Sequence, residues 1–157
     1  MPPGRWTALF FLDEATALAA GHRPCAYCRR ADFDNFADRW RSAHGLAERP
    51  RARQIDARLH SERVEPRSRR QLTRPALVGE LPAGVMVRHR DGPGLLIDGS
   101  FLPWSFGGYQ TPIALSPAAS IELLTPPATV ATIAAGYRPL LHPSATSAGR
   151  SGSGNES

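Results

Sequence analysis

The chain contains no lysine: all 19 of its basic residues are arginine. Two causes produce that bias. A GC-rich coding sequence favours arginine codons, and a phosphate-binding surface favours the planar guanidinium, which binds bidentately. The missing lysine therefore names no partner by itself. Cysteine is scarce too, with 2 in 157 residues, and this excludes a disulfide-dense secreted scaffold. No apolar run approaches the roughly 18 residues of a membrane span, so no spanning helix is expected. The short apolar patch Ala8–Leu12 runs straight into Asp13 and Glu14, with no small-residue cleavage site. No signal peptide is expected, and the expected location is the cytoplasm.

Turn-forming residues are plentiful. Glycine and proline number 14 and 15, which favours short elements joined by turns. The net charge of +5 is compatible with a polyanionic partner. The hydrophobic fraction of 41% allows a modest core in one domain.

"LDEATALAAG" predicts a two-turn helix with Asp13 as N-cap and Gly21 as the residue that ends it. Phe33, Phe36, Ala37, Trp40 and Ala43 repeat at helical spacing, so a second helix follows, with Asp32 as its expected cap. Ile55 and Leu59 mark a weaker helix from about Ala52 to Val64. Residues 49–74 carry nine arginines against Asp56, Glu62 and Glu65. A run of this kind is either a solvated face or a phosphate-contacting strip. Beyond Arg74 the pattern becomes β-prone, with strands expected at Val85–His89, Leu95–Asp98, Phe101–Ser105 and "ASIELLT". "PPATVATIAAG" predicts a last short helix with Pro127 near its start. The expected fold class is α+β. A helical, Arg-rich half (1–74) surrounds a C-x-x-C knuckle. A small antiparallel β-rich half (75–142) ends in a short helix with one helix against its sheet. A disordered tail (143–157) follows.

The knuckle is "RPCAYC". Cys25 and Cys28 have the spacing with which a tight turn brings two thiolates to one tetrahedral zinc ion. Arg23, Arg29 and Arg30 surround them and would favour the thiolate form or meet a phosphate. A structural site needs four ligands, so histidines are the candidates to complete it. His60 is the favoured third ligand, with Asp56 one turn before it on the same face.

The stretch Phe10–Arg30 resembles the second half of the metal-binding domain of Ada-type methylphosphotriester repair proteins. The resemblance rests on the apolar Phe10 and Phe11, the Ala15–Gly21 helix, and Arg23, Pro24, Cys25, Cys28 and Arg29. It implies that Cys25 and Cys28 are zinc ligands. That family has two further cysteines on earlier strands, one of them the methyl acceptor. This chain has no cysteine before Cys25, so the acceptor chemistry is not implied. Either coding sequence upstream holds the missing half, or the knuckle persists without metal. The stretches "LPWSFGGY" and "LTPPATVATIAAGYRPLLHPSA" resemble a bacterial protein family, and no activity follows from that.

The functional expectation is a zinc-associated nucleic-acid-binding module, with Cys25, Cys28 and His60 for metal and Arg23, Arg29 and Arg30 for nucleic acid. Three alternatives remain open. The first is a metal-dependent nuclease using His60 with Asp56 or Glu62. The second is a thiol-redox role for the cysteines. The third is a metal-free interaction domain presenting Trp104, Phe106 and Tyr109.

Overall fold

The computed structural model describes residues 11–90 and 92–150, with side chains described through Thr146. The order of elements is α1 (Glu14–Ala19), α2 (Arg30–Ala43), α3 (Ala52–Arg63), β1 (Arg74–Leu77), β2 (Val85–His89), β3 (Gly92–Ile97), β4 (Ser100–Ser105), β5 (Gly108–Tyr109), β6 (Ile113–Ala114), β7 (Ser120–Leu123), α4 (Pro127–Ala134) and α5 (Pro143–Arg150). Helices dominate the first half and an antiparallel sheet the second, so the fold is α+β.

Each expected helix forms for a local reason. Asp13 caps α1 through a capping box: its carboxylate accepts from the Thr16 N–H, and the Thr16 hydroxyl accepts from the Asp13 N–H. The helix stops in a Schellman turn. The His22 N–H reaches the Ala17 carbonyl and the Gly21 N–H reaches that of Leu18, with Gly21 at φ +80°. α4 ends the same way on Gly136, φ +110°, with the Tyr137 N–H bonding back to the Thr132 carbonyl. Both ends read A-A-G-[HY]-R-P, at residues 19–24 and 134–139, so one helix-stop device is used twice. Asp32 does not cap α2, because that helix begins two residues earlier, at Arg30. Asp32 instead accepts from Arg29 Nε at 2.9 Å.

The sheet order is β1-β7-β2-β3-β4-β5, with β6 paired to β4. Side chains alternate between its faces. Val85, Val87, Leu96, Phe101, Ile121 and Leu123 point one way and form a core with Phe33, Phe36 and Trp40 of α2, Ile55 and Leu59 of α3, and Ile133 of α4. Met86, Leu95, Leu102 and Tyr109 point the other way and meet Ala15 and Ala19 of α1 and Ala145 of α5. Helices therefore cover both faces, where the sequence pattern predicts one helix on one face. The N-terminal helices and the sheet share these cores.

β1 has no counterpart among the expected strands, since "RPAL" is short and has no alternation. Its pairing with β7, Arg74 opposite Leu123 through Leu77 opposite Ser120, is what makes it a strand. β3 begins at Gly92 rather than Leu95, because Gly92, Pro93 and Gly94 pair with His89, Arg88 and Val87. The expected disordered tail meets a helix at Pro143–Arg150, anchored by the buried Ala145; residues 151–157 lie outside the described residues.

Gly94 lies where two strands close on each other. A Cβ there would sit 2.3 Å from the Phe101 ring and 2.5 Å from the Leu102 carbonyl oxygen. The second neighbour is backbone and cannot step aside. Gly94→Ala is expected to cost about 2–3 kcal/mol, as core overpacking does. Thermal melting checks this, with a fall of about 4–12 °C expected for a chain of this size; an unchanged midpoint would contradict the packing described.

The chain is closed by two adjacent carboxylates. Asp13 Oδ2 accepts from the Tyr109 hydroxyl at 2.9 Å and the His142 N–H at 3.1 Å. Glu14, buried at 8% exposure, accepts from the Tyr137 hydroxyl at 2.8 Å, the Leu140 N–H at 2.8 Å and Arg29 Nη1 at 3.0 Å. Burial, and then the Glu14 carboxylate, hold the Tyr137 phenol well above its ordinary pKa, so it stays a donor.

Candidate metal knuckle and basic surface

The knuckle is held between α1 and α2. The Cys28 N–H points at Cys25 Sγ, 3.4 Å away, and the Arg29 N–H returns to the Cys25 carbonyl at 3.1 Å. An amide aimed at sulfur is what a metal-binding knuckle uses to stabilise a thiolate. The same contacts bring the Cys25 thiol down to about 7. The Cys28 N–H contributes most, then the Cys28 thiol, then the Tyr27 N–H. Cys28 moves the other way, above its ordinary value, chiefly through its hydrogen bond with Cys25. In chelator-treated protein, alkylation of Cys25 is therefore expected to reach half its maximal rate near pH 7, with Cys28 reacting only at higher pH. Peptide mapping after iodoacetamide pulses measures both; equal reactivity of the two thiols at pH 7 would contradict this geometry.

α3 does pack beside the knuckle. Arg23 bridges them, with Nε 2.8 Å from Asp56 Oδ1 and Nη2 2.9 Å from Oδ2. Its guanidinium also lies over the Phe33 ring at 5.2 Å. Cys25 and His60 line one cleft of about 390 Å³, together with His22, Asp56 and Arg63. They do not close into a metal site. Among the described residues no three His, Cys, Asp or Glu side chains stand together to hold an ion. His60 shares that cleft with Cys25, and no group of three donors that includes the two thiols and His60 is assembled among the described residues.

The arginines expected to meet nucleic acid are committed elsewhere. Arg23 holds Asp56; Arg29 holds Glu14 and Asp32; Arg30 lies 3.2 Å from Asp34. Arg49 binds Asp34 and Asp38, and Arg58 binds Glu62. The two carboxylates of the nuclease alternative are similarly occupied, while His60 is exposed. Asp56 is paired with Arg23, and the second oxygen of Glu62 accepts the Ala128 N–H at the start of α4. Of the three aromatics named for an interaction surface, Tyr109 is buried, Trp104 is half-buried against Phe106 at 4.8 Å, and Phe106 is 93% exposed.

A different set of arginines has no acidic partner among the described residues. Val64 pairs with Gln71, so residues 64–71 make a narrow hairpin projecting between α3 and β1. The one acid in that hairpin, Glu65, is turned inward on its own loop. The Ser68 N–H is the main cause that holds its carboxyl below the usual range, and Glu65 also closes the backbone onto Arg69 and Arg70. Arg67, Arg69 and Arg70 are left exposed. Arg69 stands at φ +59°, a left-handed conformation uncommon for arginine.

The hairpin leads into a second basic feature. A cleft of about 370 Å³ at the end of the sheet is lined by Thr73, Arg74, Arg88, His89, Arg90, Glu122 and their neighbours. Sequence reasoning does not single out these residues. Arg74 and Arg88 are distant in the chain, and only the insertion of β7 between β1 and β2 brings them together. No helix of the described residues is long and apolar enough to cross a membrane. Compared with protein-family models, with curated proteins and with solved structures, the chain matches none.

Proposed function

We propose that the chain is a zinc-associated nucleic-acid-binding module. Its contact surface is the arginine hairpin 64–71, rather than Arg23, Arg29 and Arg30. One observation carries the reading: three exposed arginines without an acidic partner among the described residues are gathered on one short hairpin. The acids near the knuckle and on α2 and α3 are spent on structural ion pairs, whereas Arg67, Arg69 and Arg70 project without an acidic partner among the described residues. Guanidinium groups standing free in water gain most from a polyanion, whose condensed counterions they release.

Zinc would act as a structural staple at the knuckle. Cys25 and Cys28 would supply two of its ligands. Such a staple would fix the α1–α2 corner that Arg23 ties to α3. The test is elemental analysis of protein from zinc-supplemented cells, beside anisotropy binding to a labelled 20-base-pair duplex in low salt. The reading expects about one zinc per chain, lost in Cys25→Ser, and saturable duplex binding. No zinc would remove the staple, and no duplex binding would remove the nucleic-acid role.

A further inference from the structure

Three guanidinium groups and an imidazole share the cleft at the end of the sheet with a single carboxylate among its described lining residues, Glu122. Glu122 is already engaged. The Thr73 hydroxyl donates to its Oε1, and Arg88 Nη1 lies 3.5 Å from its Oε2. The pair forms because Arg88 and Glu122 stand opposite each other in the β2–β7 register. Arg74 and Arg90 are exposed and have no acidic partner among the described residues. Arg90 stands at φ +54° where β2 turns toward β3, which carries it past the strand end. Like charges gathered on a concave surface without a counter-charge repel one another, and an anion placed between them relieves that repulsion.

The kind of anion follows from the walls. Pro75 and Ile121 are the apolar members of a lining that is otherwise polar or charged, so the apolar enclosure that holds a compact organic ligand is missing. An extended polyanion needs no such enclosure. The hairpin arginines end at Arg70, and the chain from there to Arg74 spans at most about 14 Å. That distance covers about four base-pair steps of a duplex at 3.4 Å each. One nucleic-acid face can therefore lie on the hairpin and reach the cleft together. We infer that the cleft formed by Thr73, Arg74, Arg88 and Arg90 is a backbone-phosphate subsite for the nucleic acid, with Arg74 and Arg90 making the charged contacts and Glu122 restraining Arg88. The inference rests on the nucleic-acid reading above and adds a second contact point to it.

The experiment is anisotropy binding of a labelled 20-base-pair duplex between 50 and 200 mM salt (about the range over which phosphate contacts are read). The proteins are the wild-type full chain, the Arg74→Ala/Arg90→Ala double variant and Glu122→Gln. The double variant is expected to bind about tenfold more weakly at the low-salt end. Its log–log salt slope should be shallower by about 2, one unit for each phosphate no longer neutralised. Glu122→Gln frees Arg88 and is expected to bind several-fold more tightly. Melting curves establish that each variant is folded, and Glu122→Gln keeps the test alive if the double variant is not. A double variant with wild-type affinity and slope, beside a hairpin variant that loses binding, would overturn the subsite and leave the nucleic-acid reading in place. A Glu122→Gln protein that binds no better than wild type would also count against it. A wild-type chain that binds no duplex would overturn both.

Discussion

Glu14→Ala is expected to cost about 3 kcal/mol of stability. The side chain is small, but its carboxylate accepts from three groups at once: the Tyr137 hydroxyl, the Leu140 N–H and Arg29. Removing it strands a buried phenol and a backbone amide, each costing about 1–3 kcal/mol when unsatisfied. Arg29 is one-third exposed and recovers part of its loss from water, so the upper end of the buried-pair range is not reached. Glu14→Gln keeps one acceptor and is expected to cost about half as much. Differential scanning calorimetry would show the first as a fall of roughly 6–12 °C. A fall under about 2 °C would mean the clasp does not hold the C-terminal segment.

The second large effect concerns binding. Replacing Arg67, Arg69 and Arg70 together by alanine removes three exposed guanidinium groups, none with an acidic partner among the described residues, so folding is expected to survive. Each phosphate contact contributes about 0.9 to the log–log salt slope. The triple variant should therefore lose about 2.7 of that slope and roughly 100-fold in duplex affinity at low salt. The contrasting control is Arg30→Ala. Arg30 serves Asp34 on its own helix, and its loss is expected to change affinity by less than about twofold.

How much of this can be read beforehand differs by element. The aromatic stripe of α2 and the capping residue Asp13 announce their helices because the signals are local and contiguous. β1 is invisible in "RPAL", since a four-residue strand with a proline acquires its identity from β7, far along the chain. The turn that follows Cys25 and holds Cys28 is legible for the same reason as α2, since its residues are contiguous. The charged surface is legible as a strip, residues 49–74, but not as the arginines within it that stay unpaired. Composition counts arginines but not their partners, and Arg23, Arg29 and Arg30 look as available in sequence as Arg67, Arg69 and Arg70. Their ion pairs with Asp56, Glu14, Asp32 and Asp34 are set by packing. His60 is legible in part: helical spacing places it on the side of α3 toward the knuckle, and it lines one cleft with Cys25.

The central claim is that the arginine hairpin meets a phosphate backbone. The salt dependence of duplex affinity, measured for the wild type and for the Arg67, Arg69, Arg70 triple-alanine variant, tests it most directly. A wild-type log–log slope steeper than about −3, falling by about 2.7 in the variant, is the predicted result. A flat wild-type slope, or a steep one that the variant leaves unchanged, would contradict it.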